Sequence, residues 1–334
     1  MALERFNPDH LVLAFSYADT IAREVLPFLA ARQQDQRVPG ADGKPLFCSR
    51  FSADRPAGTV LIAHGFTENA FKFSEVIYSL LQNGLSVVAY DQRGHGRSWR
   101  PEQISDLSLT HVDHFQTYVR DMEAIVDTVL TQMPKPWMIF AHSMGGAVTC
   151  LYLEKHPGVF SRAALCAPMI QANLGMPRAA VKLLCNAMNL AGKSASRVFV
   201  SKPYREKEAF ETSCANGRER FDWYESVRFS RREFQNNGPT YGWTLESANV
   251  TSQILAPGEP EKITCPVRLY TASLDNTVLP EAQKAFIDRV KQGTRLVVDG
   301  AKHEIYRSAD KVLFPWWHDV LTFLRAGGET GPAD

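Results

Sequence analysis

The chain has six cysteines (Cys48, Cys150, Cys166, Cys185, Cys214 and Cys265) but no Cys-x-x-Cys pair. That absence argues against zinc-finger and dithiol spacings, and several of the thiols stand in apolar runs where they behave as small hydrophobes, which points to a reducing compartment. No uninterrupted apolar run approaches the roughly 18 to 20 residues that a membrane span requires. The stretch Met1 to Pro8 also lacks a basic-then-apolar signal pattern, so the expected location is cytoplasmic. Excess charge of one sign is missing too: 37 Lys and Arg face 36 Asp and Glu, for a formal net charge of +1. Without a basic face or tail, no nucleic-acid partner is expected. There is no internal repeat or low-complexity tract, and Gly327 to Pro332 reads as a frayed tail. What remains is 334 residues at 45% apolar and 22% charged content, enough for one large domain with an insertion.

From about residue 45 to 168 the pattern alternates short apolar runs with helical periodicity. Asp42-Gly43 reads as a hairpin turn, and Thr59–Ala63, Leu85–Tyr90, Trp137–Ala141 and Ala163–Ala167 read as strands. Tyr118, Met122, Ile125, Val126 and Val129 recur at helical spacing, with Asp113 expected near the N-cap. Strands separated by helices imply a mostly parallel sheet. The alternation breaks from about Pro168 to Thr264 and resumes at Cys265. The expected organisation is therefore an α/β core, residues 1–168 and 262–334, with residues 169–261 inserted as a helical cap over the C-terminal edge of the sheet.

The stretch Phe140-Ala141-His142-Ser143-Met144-Gly145-Gly146 sets a serine between an apolar strand and a small-residue helix start. This is the form of a nucleophile elbow, with Ala141 in place of the usual first glycine. A serine hydroxyl needs a histidine to take its proton and a carboxylate to hold that histidine in one tautomer. Asp275 and His303 follow in that order, each just past a β-rich run. Thr59–Ala63 ends in His64-Gly65-Phe66, which makes the N–H groups of Phe66 and Met144 the candidate oxyanion-hole donors. His64, beside Gly65, reads as a residue that shapes this loop. The serine chemistry needs no metal or organic cofactor.

On these residues the chain resembles the α/β-hydrolases, in the branch of monoglyceride lipases and bacterial lysophospholipases. The resemblance rests on His64-Gly65-Phe66, Asp91-Gln92-Arg93-Gly94-His95-Gly96-Arg97-Ser98, Ala141-His142-Ser143-Met144-Gly145-Gly146 and Gly300-Ala301-Lys302-His303-Glu304. More selective are His111-Val112-Asp113-His114-Phe115 with Tyr118 and Asp121, and Gly238-Pro239-Thr240-Tyr241-Gly242-Trp243 followed by Glu246-Ser247. The resemblance spans about residues 40 to 325 and implies hydrolysis of the acyl ester of a lysophospholipid. Some relatives have glutamate where this chain has Asp275, and either carboxylate can orient an imidazole. The alternatives are a monoacylglycerol lipase or general carboxylesterase, a peptidase of the proline-iminopeptidase sort, and a non-catalytic hydrolase-like binding protein, which usually has a broken triad. Dehalogenase and epoxide-hydrolase chemistry would need an aspartate at position 143.

Other motifs take plainer readings. The Asp91–Ser98 run does not open a helix with phosphate-loop spacing, and Asp91 and Arg93 are expected in structural hydrogen bonds. His111 and His114 lack the further ligands of a metal site. In the cap, Val181, Leu184, Cys185 and Met188 share a helix face flanked by Arg178, Lys182, Lys193 and Arg197. Either that helix covers an acyl pocket or it lies on an anionic membrane surface. Arg218, Arg220, Arg228, Arg231 and Arg232 are the candidate phosphate partners. The expected partner is a small lipid ester, and nothing in the pattern speaks to oligomeric state.

Overall fold

The computed structural model describes residues 4–326; the tail expected at Gly327 to Pro332 lies outside them. Ten strands follow in chain order: β1 (Gln33–Pro39), β2 (Pro45–Phe51), β3 (Thr59–Ala63), β4 (Ser86–Tyr90), β5 (Leu109–Thr110), β6 (Trp137–His142), β7 (Arg162–Cys166), β8 (Gly238–Pro239), β9 (Val267–Ala272) and β10 (Gly293–Val298). Eight of them form one sheet in the order β1-β2-β4-β3-β6-β7-β9-β10. Only β2 runs against its neighbours; from β4 to β10 every pairing is parallel. This is the mostly parallel sheet that the strand–helix alternation led us to expect, in the α/β-hydrolase arrangement that the motif resemblance implied.

Period-2 alternation puts each central strand into two cores. Val60 and Ile62 of β3, with Met138 and Phe140 of β6, enter one apolar cluster, while Leu61, Ala63, Ile139 and Ala141 enter the other. The helices are α1 (Tyr17–Thr20), α2 (Leu26–Ala30), α3 (Ser74–Gln82), α4 (Gln116–Thr128), α5 (Met144–Lys155), α6 (Arg178–Leu190), α7 (Arg218–Ser230), α8 (Tyr241–Ile254), α9 (Pro280–Ile287) and α10 (Asp310–Arg325). The amino-terminal helices, α3 and α10 cover the first face; α4, α5, α8 and α9 cover the second.

Helix α4 starts at Gln116 rather than at Asp113. The Asp113 carboxylate instead faces His111 Nε2 at 3.1 Å, and the Phe115 N–H donates to Glu246 at 2.6 Å, so a distant carboxylate does the capping. Residues 169–261 add no strand to the eight-stranded sheet. They are nonetheless tied to the rest of the chain: β8 pairs with β5 in a separate two-stranded sheet, and Trp243, Val250 and Ile254 of α8 share a core with α4 and α5. On α7, Arg220 is 1% exposed and donates to Glu75 of α3 and Asp310 of α10.

Candidate active site

The turn from β6 into α5 carries Ser143 at φ 49° and ψ −117°, a region that non-glycine residues rarely occupy. The strain is held from both sides. Ser143 N–H donates to the Cys166 carbonyl at 3.1 Å, and its carbonyl accepts from Gly146 and Met169 N–H at 2.9 and 2.8 Å. Glycine is required just beyond, because a Cβ on Gly145 would drive into the Ala63 carbonyl and one on Gly146 into Pro168. Helix α5 can therefore start directly behind β3, with its amino terminus at the serine.

Asp275 lies in the loop after β9 and His303 in the loop after β10. The structure brings them together with Ser143: His303 Nε2 is 2.8 Å from Ser143 Oγ, and His303 Nδ1 is 2.7 Å from Asp275 Oδ2. A carboxylate at Nδ1 puts the ring proton there and leaves the Nε2 lone pair facing the serine hydroxyl. Asp275 Oδ1 accepts the N–H groups of Thr277 and Val278 at 2.8 and 3.2 Å. Burial opposes ionisation of Asp275, but the hydrogen bond and charge of His303, with the two N–H groups, outweigh it and hold the carboxyl below its ordinary value.

Phe66 lines the same cavity as Ser143 and His303, and Met144 opens α5 beside the serine. Among the described residues, neither the Phe66 nor the Met144 N–H has a hydrogen-bond acceptor. His64 is committed elsewhere: its Nδ1 lies 2.8 Å from the Gly65 carbonyl, and its Nε2 accepts the Gln92 N–H at 2.9 Å. His111 is bound at Nδ1 to Thr240 Oγ1, 2.8 Å away. Asp91 accepts the N–H groups of Ala70 and Arg97, and Arg93 pairs with Asp121.

Beneath the serine lies a charged network that the sequence reading missed. Glu68 accepts from Gly65 N–H at 2.6 Å and Lys72 Nζ at 3.0 Å, and also from the Tyr306 hydroxyl; Lys72 reaches Glu304 at 2.6 Å, and Glu304 pairs with Arg307. The available signal was the acid–base spacing of Glu68 and Lys72, four residues apart just after a loop glycine. Ser143 opens into a cavity of about 220 Å³, and half of the residues lining it are Glu, Lys, Arg or His.

Of the five candidate phosphate arginines, only Arg228 lines that cavity. Arg228 donates to Glu225 at 3.0 Å and to the Asn236 carbonyl at 2.6 Å. Arg218 is exposed and paired with Asp222, Arg220 is locked into the core, Arg231 lies over Phe71 and Phe234, and Arg232 is exposed. The apolar face of α6 is likewise spoken for. Val181 and Cys185, with Leu184 and Met188, pack on Tyr241 and Leu245 of α8, so that face covers a helix rather than the serine cavity.

Comparison with known proteins agrees with this architecture. Residues 54–310 match the family described as Hydrolase_4: Serine aminopeptidase, S33. The chain is 31% identical over 307 residues to lysophospholipase L2 of Escherichia coli (strain K12), covering 88% of each chain. It is 33% identical over 138 residues to the monoglyceride lipase of Homo sapiens, covering 40% of this chain and 42% of the other. A soluble variant of monoglyceride lipase from Saccharomyces cerevisiae, solved with a substrate analog, superposes with a TM-score of 0.67 at 19% identity over 88% of this chain and 96% of that one. The chain belongs to the serine aminopeptidase S33 (Hydrolase_4) family of α/β-hydrolases, alongside its lysophospholipase and monoglyceride-lipase members.

Proposed function

We propose that this protein is a lysophospholipase that releases the fatty acid of a lysophospholipid through an acyl-enzyme. Ser143 Oγ attacks the acyl carbonyl while His303 Nε2 takes its proton, and Asp275 holds His303 in the receiving tautomer. The Phe66 and Met144 N–H groups bind the developing oxyanion. Collapse expels the glycerophosphoryl alcohol, protonated by His303. Water, deprotonated by the same histidine, then frees the acid and restores the serine. Residues 169–261 act as the cap that closes over the leaving group.

The observation that carries the substrate class is the cavity at Ser143. The charged half of its lining suits a polar head group. The similarity to a lysophospholipase over most of both chains, against under half for human monoglyceride lipase, points the same way. A second reading, hydrolysis next to a free amino group, draws on Glu208 and Glu225, which face the cavity from the cap side. Product analysis over lysophospholipids, monoacylglycerols, short esters and amino-acid arylamides separates the readings. Fatty acid released fastest from the lysophospholipid supports the proposal; preference for an arylamide, or for acetate esters over long-chain ones, overturns it.

We also propose that the cap rests on an anionic lipid surface. From Lys155 to Arg205 the chain contains no Asp or Glu. The same region exposes Met176, Leu183, Leu190, Phe199 and Val200, with Leu183 at 74% and Leu190 at 91%. Lys155 and Arg197 pair with Glu123 and Asp106, but among the described residues Arg178, Lys182 and Lys193 make no ion pair, and apolar side chains beside such groups match a headgroup boundary. No helix among the described residues is long and apolar enough to cross a membrane.

A further inference from the structure

His142 precedes the serine and is only 2% exposed. Its Nδ1 lies 2.8 Å from Glu68 Oε2, and its Nε2 lies 3.2 Å from the backbone carbonyl of His303. Neither partner has a proton to give. Glu68 already accepts from Gly65 N–H, Lys72 and Tyr306, so it is ionised, and a carbonyl only accepts. A neutral imidazole carries one N–H and would leave its other nitrogen facing an acceptor lone pair to lone pair. The doubly protonated ring satisfies both contacts.

We propose that His142 is a positioning residue held as an imidazolium, which with Glu68 ties the oxyanion loop to the backbone of His303 across Ser143. One Glu68 oxygen takes both the Gly65 N–H, one residue before Phe66, and His142 Nδ1. The other ring nitrogen holds the carbonyl of the residue that serves as base. Hydrogen bonds thus link the loop carrying one oxyanion donor to the histidine that takes the proton. The packing leaves no slack: a Cβ on Gly65 would sit within 3.0 Å of Glu68 Oε2, Ser143 Cβ and His142 Nδ1.

The surroundings favour the charge. The His142 ring faces the His303 ring, with centroids 4.8 Å apart, and the Tyr306 ring at 5.2 Å. Burial works against the cation, but the charge and hydrogen bond of Glu68 and the charge of Glu304 outweigh burial and Lys72, so His142 is raised above its ordinary value. Arg307 is paired with Glu304. A fixed positive charge beside the serine favours the anionic transition state.

The inference rests on Ser143 and His303 as nucleophile and base, but its first measurement does not use activity. In wild-type protein with 15N-labelled histidine at pH 8, where a free imidazole of pKa about 6.5 is neutral, both His142 nitrogens are expected to carry protons. In Glu68→Gln, kcat is expected to fall about tenfold with KM for a short ester changed less than about twofold, and the alkaline loss of kcat to begin at lower pH. A single N–H on His142 at pH 8, or a Glu68→Gln pH profile that superposes on the wild type, overturns the proposal. Should that variant fail to fold, the wild-type spectrum decides alone.

Discussion

Ser143 sits at positive φ because hydrogen bonds at its N–H and carbonyl and the close packing of Gly145 and Gly146 leave the chain no other turn. In the proposed mechanism its reactivity is set by two side chains, His303 and Asp275. Ser143→Ala is expected to abolish turnover and remove the only site labelled by a fluorophosphonate, read by mass spectrometry of the labelled peptide. Asp275→Asn is expected to lower kcat on the order of 10³-fold or more, because an amide can hold His303 in the wrong tautomer. Near-full activity in a folded Asp275→Asn protein would exclude that role. The depressed Asp275 also has a sign for stability: a carboxyl lowered by folding stabilises above its unfolded value near 4 and loses that contribution as pH falls through its own lower value. Glu304, down to about 2, behaves the same way.

At the scale of elements, helix α5 aims the serine with its first turn and carries a liability in its last. Glu154 is 5% exposed, and its Oε1 has no hydrogen-bond partner. Burial, with the charges of Glu259 and Glu261 against those of Lys262 and Arg289, pushes its carboxyl up to about 9. A carboxyl raised by folding binds its proton more tightly in the native state, so stability declines as pH rises from its unfolded value toward 9. Glu154→Gln removes that decline. It should leave the melting temperature unchanged at pH 4, raise it by a few degrees at pH 8 as about 1 to 2 kcal/mol is recovered, and leave kcat unaltered. An equal gain at both pH values would mean that the charge is not the cause.

Elements were legible in the sequence where the pattern is local. Ser143, Asp275 and His303 each follow a strand whose apolar run stands out, so their order and placement could be read one at a time. The network of Glu68, Lys72, His142, Glu304 and Tyr306 could not: it joins the end of β6 to two segments far away in sequence, and spacing carries no distance between them. Arg220 was misread for the same reason. In sequence it is one of five candidate phosphate arginines, yet its partners lie 145 and 90 residues away. Helix α6 was legible as amphipathic, but its two apolar faces were not separable. The stronger stripe, Val181 and Cys185, found α8, and the weaker one was left to solvent.

For the whole molecule, a net charge of +1 hides an uneven distribution: the acid-free stretch from Lys155 to Arg205 includes all of α6. Leu183 and Leu190 lie seven residues apart on the outward side of α6, two helical turns on one face. Entering a lipid boundary, each leucine gains about 1.5 kcal/mol or more, and each basic group near an anionic surface about 1 kcal/mol. The intact protein is therefore expected to bind vesicles containing anionic lipid and to release as salt rises, since the attraction is screened over about 8 to 10 Å. Leu183→Ser with Leu190→Ser should weaken binding by about 3 kcal/mol, over a hundredfold in partition. Turnover of a water-soluble ester should not change, because neither side chain lines the serine cavity. Activity on vesicle-borne substrate should fall with the partition. Binding that ignores lipid charge, or a double variant that still sediments with vesicles, would remove the membrane reading and leave the hydrolase site untouched.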